Sequence, residues 1–109
     1  MRLQRLCGFC YTRLMTYDEF LEACDTGSLA ADAPELLRSL YEDRRGDWDT
    51  AHSIAQQIPS QDGSLVHAYL HRKEGDVGNA NYWYSRADTA APGLSLPDEW
   101  EHLARKFTR

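Results

Sequence analysis

A Gly-Asp dipeptide that recurs at an offset of 29 residues constrains the fold of this chain most strongly. It stands in two segments, residues 36–58 and 65–87, which share four identities at that offset: Leu36/Leu65, Gly46/Gly75, Asp47/Asp76 and Ala51/Ala80. Glycine readily adopts the left-handed backbone that ends a helix, and aspartate is a preferred N-cap of the next one. Each Gly-Asp pair therefore predicts a tight turn between two antiparallel helices.

Apolar residues recur at helical spacing on both sides of each turn. In the first helix of each segment, one arc of the helical wheel holds Leu36, Leu37, Leu40 and Tyr41, or their counterparts Leu65, Val66, Tyr69 and Leu70. In the second helices, the corresponding arcs hold Trp48, Ala51, Ile54, Ala55 and Ile58, or Val77, Ala80, Trp83, Tyr84 and Ala87. The pattern predicts two tandem αα-hairpins, with small alanines that allow close approach of the paired helices.

Shorter helical signals flank the two hairpins. In "TYDEFLEAC", Thr16 and Glu19 have the spacing of a capping box. In "DAPELL", Asp32 is the expected cap of the first repeat helix, with Pro34 in its first turn. After a Pro/Gly linker, "DEWEHLARKF" carries an apolar stripe. Repeat arrays need terminal elements over their end faces, so we expect an all-α protein of about six helices, with N- and C-terminal capping helices.

Residues 40–87 carry the family resemblances of this chain. "GDWDTAHSIAQ" followed by "VHAYLHRKEGDVGNANYWYSRA" resembles a family of small uncharacterised helical proteins with the motifs WDxAHxxxQ and HAYLHRxEGDxxNAxYWYxRA. The Gly-Asp turns, each followed by a small residue four positions later, also resemble tetratricopeptide (TPR-like) and Sel1-type repeats, whose usual period is about 34 residues. Both resemblances imply a helical fold, and neither implies a reaction.

Length and charge narrow the possible partners. A chain of 109 residues fits one domain, which we expect over residues 15–109. The net charge is -5, and from Met15 onward 9 basic residues face 17 acidic ones. This acidic body argues against binding to nucleic acid, whose phosphates carry the same charge. No stretch approaches the roughly 20 apolar residues of a membrane span. We therefore expect a cytoplasmic protein.

The leading segment, residues 1–14, carries three arginines and no acid. It has the composition of an organellar transit peptide, but an upstream extension, with Met15 as the working start, is the favoured interpretation. We expect this segment to be disordered. Its Cys7 and Cys10 have the C-x-x-C spacing of a redox pair or of half a zinc knuckle. Neither a βαβ pattern nor a second ligand pair accompanies them, so no role is assigned.

His67 and His71 stand four residues apart and share one face of a predicted helix. Helical metal sites use this spacing. However, the counterparts of these histidines in the first repeat are Arg38 and Glu42, which belong to a polar face. The favoured interpretation is therefore that both histidines lie at the surface or in a groove.

A zinc site would need further ligands, because zinc in proteins takes three or four. His52, Glu74 and Asp49 are the candidates for a third ligand. The sequence HAYLH lacks the glutamate of the H-E-x-x-H metalloprotease motif. No cofactor is therefore expected, and zinc on His67, His71 and His52 is the less favoured alternative.

Asn79, Tyr82 and Arg86 fall on one face of the last repeat helix. Their counterparts in the first repeat are smaller and less distinctive: Thr50, Ser53 and Gln57. Rigid rings and a guanidinium that can hold a carboxylate suit a recognition surface. The structural alternative is that Tyr82 packs on the C-terminal helix and Arg86 pairs with an acidic residue.

The favoured hypothesis is a small helical-repeat module that binds or scaffolds a protein or peptide, including another copy of itself. Its binding surface would combine His67, His71, Asn79, Tyr82 and Arg86. No catalytic residue is assigned, since nucleophile and phosphate-loop motifs are absent from the sequence. The alternative is a small metal-dependent or histidine-assisted enzyme. Convergence of His52, His67 and His71 within a few Å around an empty polar pocket would favour that alternative, whereas histidines that point apart or are capped by carboxylates would count against it.

Overall fold

A computed structural model describes residues 15–109, and the described part is entirely helical with no strand. Its six helices are α1 (Tyr17–Thr26), α2 (Glu35–Arg44), α3 (Trp48–Gln56), α4 (Gln61–Lys73), α5 (Val77–Arg86) and α6 (Leu96–Phe107). The predicted all-α class with about six helices is confirmed. None of the described helices combines the length and apolar content needed to cross a bilayer. The predictions for residues 1–14, including Cys7 and Cys10, lie outside the described residues.

The two Gly-Asp turns are built alike. Gly46 and Gly75 take φ values of 93° and 91°, a backbone conformation that residues with a Cβ rarely adopt. The next residue caps the following helix: the Asp47 carboxylate accepts the Thr50 N–H, and the Asp76 carboxylate accepts the Asn79 N–H. As the sequence predicts, α2 packs on α3 across the first turn, and α4 packs on α5 across the second.

Helix α4 lies at the centre of the molecule. It contacts α2, α3, α5 and α6. As a result, almost every side chain from Gly63 to His71 is buried, whichever side of the helix it occupies. The sequence predicts His67 and His71 at the surface or in a groove: at 4% and 7% exposure neither side chain lies at the surface, and His67 lines a cleft. A helical wheel shows one apolar arc, but it cannot show how many neighbours surround the helix.

The two flanking helices meet on one side of the repeat helices. Helix α6 packs across α2 and α4, and the Trp100 indole donates a hydrogen bond to the Leu40 carbonyl at 3.1 Å. On its other side, Trp100 stacks on Phe20 of α1 with 5.7 Å between ring centroids. Burying the apolar stripe of α6 against α2 and α4 brings the two terminal helices together.

Two local expectations also differ from the structure. Pro34, with no side-chain hydrogen bond to the helix, occupies the N-cap of α2 in place of Asp32. Val77 is 61% exposed although its counterpart Trp48 is half-buried. Position 77 begins α5, which packs mainly on α4 and leaves the opposite side open. By contrast, the predicted Thr16–Glu19 capping box is present at the start of α1.

Candidate metal centre

Three histidines converge where α3 meets α4. His52 comes from α3, while His67 and His71 come from successive turns of α4. The Nε2 atoms of His52 and His67 lie 2.9 Å apart. One ring nitrogen from each of the three histidines lies within 4.8 Å of the other two. This convergence is the observation that favours a metal or histidine-assisted site.

Trp48 holds α3 against α4, which brings His52 close to the histidines of α4. Its indole N–H donates to the Leu70 carbonyl at 2.8 Å, which ties the start of α3 to the end of α4. One helical turn later, the His52 ring stacks on the Trp48 ring with 4.8 Å between centroids. The two side chains face α4 together because residues at i and i+4 share a helix face.

A carboxylate sets the orientation of His71. Its Nδ1 lies 2.8 Å from Oε2 of Glu74, three residues further along the chain. A proton on Nδ1 donates to that carboxylate, and the lone pair on Nε2 is then free for a ligand. Metal-binding histidines usually have such a partner, which fixes the tautomer and raises the basicity of the coordinating nitrogen. Glu74 therefore acts as a positioning residue in this cluster.

Two indole rings flank the cluster. Trp83 of α5 stacks on His67 with 4.0 Å between centroids and 22° between planes. Trp48 lies against His52 and also meets His71 edge-on at 6.0 Å. These rings shield the flanks of the imidazoles from water.

Burial lowers the pKa of His67 and His52 and so favours their neutral forms. Desolvation, followed by the proximity of His52 and His71, lowers the pKa of His67 from its usual 6.5 to about 4. Desolvation, followed by the proximity of His71, also lowers the pKa of His52, while the carboxylates of Glu74 and Asp49 oppose this shift. Neutral imidazole, with a free lone pair, is the form that binds metals.

The spacing of the donors fits a transition metal after small side-chain movements. Zn–N bonds of about 2.0–2.1 Å in a tetrahedral site place two nitrogens roughly 3.4 Å apart. The 2.9 Å between His52 and His67 is slightly shorter, and it corresponds to an N–H···N hydrogen bond that an ion would replace. The remaining separations, up to 4.8 Å, would need to shorten. Rotations of the imidazole rings suffice for changes of this size.

The other predicted site residues lie along α5, and they do not all join the histidines. Asn79 contacts Asp76 in the turn, with 3.4 Å between Nδ2 and Oδ2. Tyr82 is 52% exposed, and its ring lies edge-on to that of Trp83 on the same helix with 5.1 Å between centroids. The guanidinium of Arg86 donates to the Tyr82 hydroxyl at 3.1 Å, and no carboxylate among residues 15–109 forms an ion pair with it.

A cleft connects the histidine cluster with part of the α5 face. It has a volume of about 370 Å³, and its walls include His67, Trp83 and Arg86. The five predicted residues therefore do not form one continuous surface. His67 and Arg86 share the cleft, whereas Asn79 belongs to the Gly-Asp turn and His71 faces Glu74.

Sequence reasoning missed the indoles and the role of Glu74. Trp48 and His52 stand at i and i+4, and His71 and Glu74 at i and i+3, so both spacings were visible as helix neighbours. The contact of Trp83 with His67 had no local signal, because it joins two different helices.

No protein-family model matches this chain, and no curated protein or solved structure is significantly similar to it. The resemblances to the WDxAHxxxQ family and to tetratricopeptide or Sel1-type repeats therefore stay predictions.

Proposed function

We propose that this protein binds one transition-metal ion, and specifically Zn²⁺, through His52, His67 and His71. The observation that most strongly supports this proposal is the convergence of three ring nitrogens from α3 and α4 within 4.8 Å of one another. His67 and His71 are buried and His52 is partly buried, so any ring nitrogen left without a hydrogen-bond partner costs free energy in the absence of a ligand. Coordination satisfies those lone pairs together.

The donor set supports zinc over harder cations. Imidazole nitrogens suit Zn²⁺, Cu²⁺ and Ni²⁺, while Mg²⁺ and Ca²⁺ prefer oxygen ligands. Zinc has no geometric preference from its d electrons, so it tolerates the arrangement that two packed helices impose. The Glu74 carboxylate on His71 supplies the outer contact that zinc-bound histidines commonly make.

Metal titration of untagged, metal-free protein tests the proposal. We expect calorimetry to show binding of one Zn²⁺ per chain, and elemental analysis to find near-stoichiometric metal in protein purified without chelator. Thermal melting should rise with Zn²⁺ and fall on chelation, since a ligand that binds the native state stabilises it.

Matched variants locate the binding site. His52→Ala and His71→Gln should each lower the affinity for Zn²⁺ by at least a hundredfold. The fourth described histidine, His102, lies exposed on α6 outside the cluster, so His102→Ala should bind as the wild type does. Circular dichroism in chelator checks that each variant is folded. Equal affinity in His52→Ala, His71→Gln and His102→Ala would contradict the proposal.

We also propose a partner-binding role for the α5 face, as the second candidate. Two observations favour it: Val77 and Tyr82 are both more than half exposed, and Arg86 has no acidic partner among the described residues. An exposed ring beside a guanidinium suits a carboxylate-bearing peptide or a second copy of this chain. In the double variant Tyr82→Ala/Arg86→Ala, the melting temperature should change little. Self-association, measured by sedimentation, should weaken. A large loss of melting temperature would instead mark both residues as structural.

A further inference from the structure

The histidine cluster offers three protein donors. Among residues 15–109, no fourth histidine, cysteine or carboxylate lies close enough to all three to complete it. Glu74 is the nearest acid, and its carboxylate is already held by Nδ1 of His71. Structural zinc sites are usually closed by four protein ligands, whereas catalytic ones have three and leave a position for water.

The donor set would also leave the charge of the ion undiminished. Neutral imidazoles cancel none of the positive charge on a bound Zn²⁺, in contrast to thiolate ligands. The flanking indoles Trp48 and Trp83 keep part of the surroundings apolar, which strengthens the field of the ion at short range. Under such conditions, zinc-bound water ionises near neutral pH.

A cleft borders the cluster at His67, which is the one of the three histidines that lines it. His67 forms part of the wall of the cleft of about 370 Å³ between the start of α4 and the end of α5. Clefts of this size hold small organic ligands. Its walls combine apolar and polar side chains, among them Ile58, Pro59, Trp83, Ser60, Ser64 and Arg86.

We propose that the metal centre is hydrolytic: a water on its open coordination position is the nucleophile that cleaves small esters entering from this cleft. This inference rests on the proposed Zn²⁺ site. The substrate class follows from the polarised water, which attacks carbonyl carbon, and from the cleft, whose Trp83 ring can contact an aromatic or apolar group of the ester.

The step is an ordinary hydrolysis. The coordinated water releases one proton to solvent, and the remaining hydroxide adds to the carbonyl carbon of the ester. The bond between that carbon and the alcohol oxygen then breaks, and the alkoxide takes up a proton from solvent. The acid retains the hydroxide oxygen, and a new water occupies the metal. One ester and one water give one acid and one alcohol, with no oxidant or reductant.

Two measurements on the wild-type chain test this inference. With Zn²⁺ bound, hydrolysis of 4-nitrophenyl acetate should run at least tenfold faster than in metal-free protein, and the rate should rise with pH to a plateau, with a midpoint of roughly 7–8. With Co²⁺ in place of Zn²⁺, azide should shift the visible d–d absorption bands, because it displaces the coordinated water. His102→Ala, which leaves the cluster intact, should behave like the wild type in both measurements.

The outcomes separate the two proposals. Stoichiometric metal binding with no azide response and no zinc-dependent hydrolysis would overturn the hydrolytic inference and leave the metal site standing. A coordination shell closed by a fourth protein donor, seen by X-ray absorption, would do the same. Absence of metal binding would overturn both.

Discussion

At the residue scale, the decisive feature is the environment of His67. This side chain is 4% exposed, stacks on Trp83 and lies 2.9 Å from the nearest nitrogen of His52. A histidine in such a place is neutral in the native protein at pH 7 and is therefore available as a ligand. The same burial makes the stability of the metal-free protein depend on pH.

We expect metal-free protein to lose stability as the pH falls from about 6.5 towards 4. In the unfolded chain His67 has its usual pKa of 6.5, whereas in the native protein its pKa is about 4. Between these values the unfolded state holds the extra proton, so the free energy of unfolding rises with pH. One such group contributes at most about 1.4 kcal/mol per pH unit. His52, whose pKa is also lowered, adds to the effect with the same sign.

Urea unfolding of chelator-treated protein at pH 7, 6 and 5 measures this dependence. Carboxylates contribute little between pH 7 and 6, which makes that interval the most informative. His67→Gln should reduce the change in the free energy of unfolding with pH, even if the variant is less stable than the wild type at every pH. An identical pH dependence in wild type and variant would show that folding does not lower the pKa of His67.

Glu74→Gln tests the orientation of His71. The substitution keeps the size of the side chain but removes the charge that accepts the Nδ1 proton. We expect the affinity for Zn²⁺ to fall by about 10- to 100-fold, the usual effect of losing an outer-shell carboxylate. Competition with a coloured chelator gives the value, and Glu22→Gln, on the exposed side of α1, is the control. Equal affinity in both variants would remove Glu74 from the site.

At the element scale, the connection from α3 to α4 decides whether the histidines meet. Gly63, in the first turn of α4, passes so close to the end of α3 that an added Cβ would lie 2.1 Å from the Ile58 carbonyl oxygen. Both atoms in that clash are fixed by the backbone, so no side-chain rotation relieves it. The close approach sets the distance of α4 from α3.

Gly63→Ala should therefore destabilise the protein by about 2–3 kcal/mol, the range of overpacked sites. It should also weaken Zn²⁺ binding, because α4 carries two of the three ligands. Gly78→Ala on α5 meets no atom within 4 Å and should be neutral or slightly stabilising, since alanine favours helix more than glycine does. Urea denaturation of the two variants provides the comparison. Similar stabilities would mean that the backbones can separate without cost.

At the scale of the whole molecule, buried ion pairs join the terminal helix to the repeat helices. The side chain of Glu99 in α6 is 3% exposed. Its carboxylate accepts a hydrogen bond from the Arg72 guanidinium of α4 at 2.6 Å and another from the Tyr84 hydroxyl of α5 at 2.5 Å. Asp43 of α2 accepts hydrogen bonds from the Tyr69 hydroxyl and from Lys73, which joins α2 to α4. The contacts of Glu99 hold α6 over the central helix, and those of Asp43 hold α2 against it.

We expect Glu99→Gln to lower the free energy of unfolding by about 2–3 kcal/mol. Removing one charge leaves Arg72 with an unpaired guanidinium, although its partial exposure moderates the cost. Glu101→Gln removes an exposed i,i+4 pair with Arg105 on the same helix and should change stability little. Chemical denaturation of both variants would measure the difference. A loss no greater than that of Glu101→Gln would show that the network does not hold α6.

The sequence alone determined the helices and the Gly-Asp turns, because these depend on residues within a few positions of each other. Periodic apolar residues, Gly46 and Gly75 at the turns, and the caps at Asp47 and Asp76 act locally. It also identified His52 as a candidate third ligand without being able to place it.

Only the tertiary structure decided that the three histidines meet. His52 and His67 are fifteen residues apart and on different helices, and they meet because Trp48 and Gly63 fix α3 against α4. The polar character of Arg38 and Glu42 indicated an exposed face for His67 and His71, but that inference assumed equivalent surroundings for the two repeats. Neighbours on all sides of α4 bury its histidines. The number of neighbours around a helix depends on packing between distant segments, which no local pattern records.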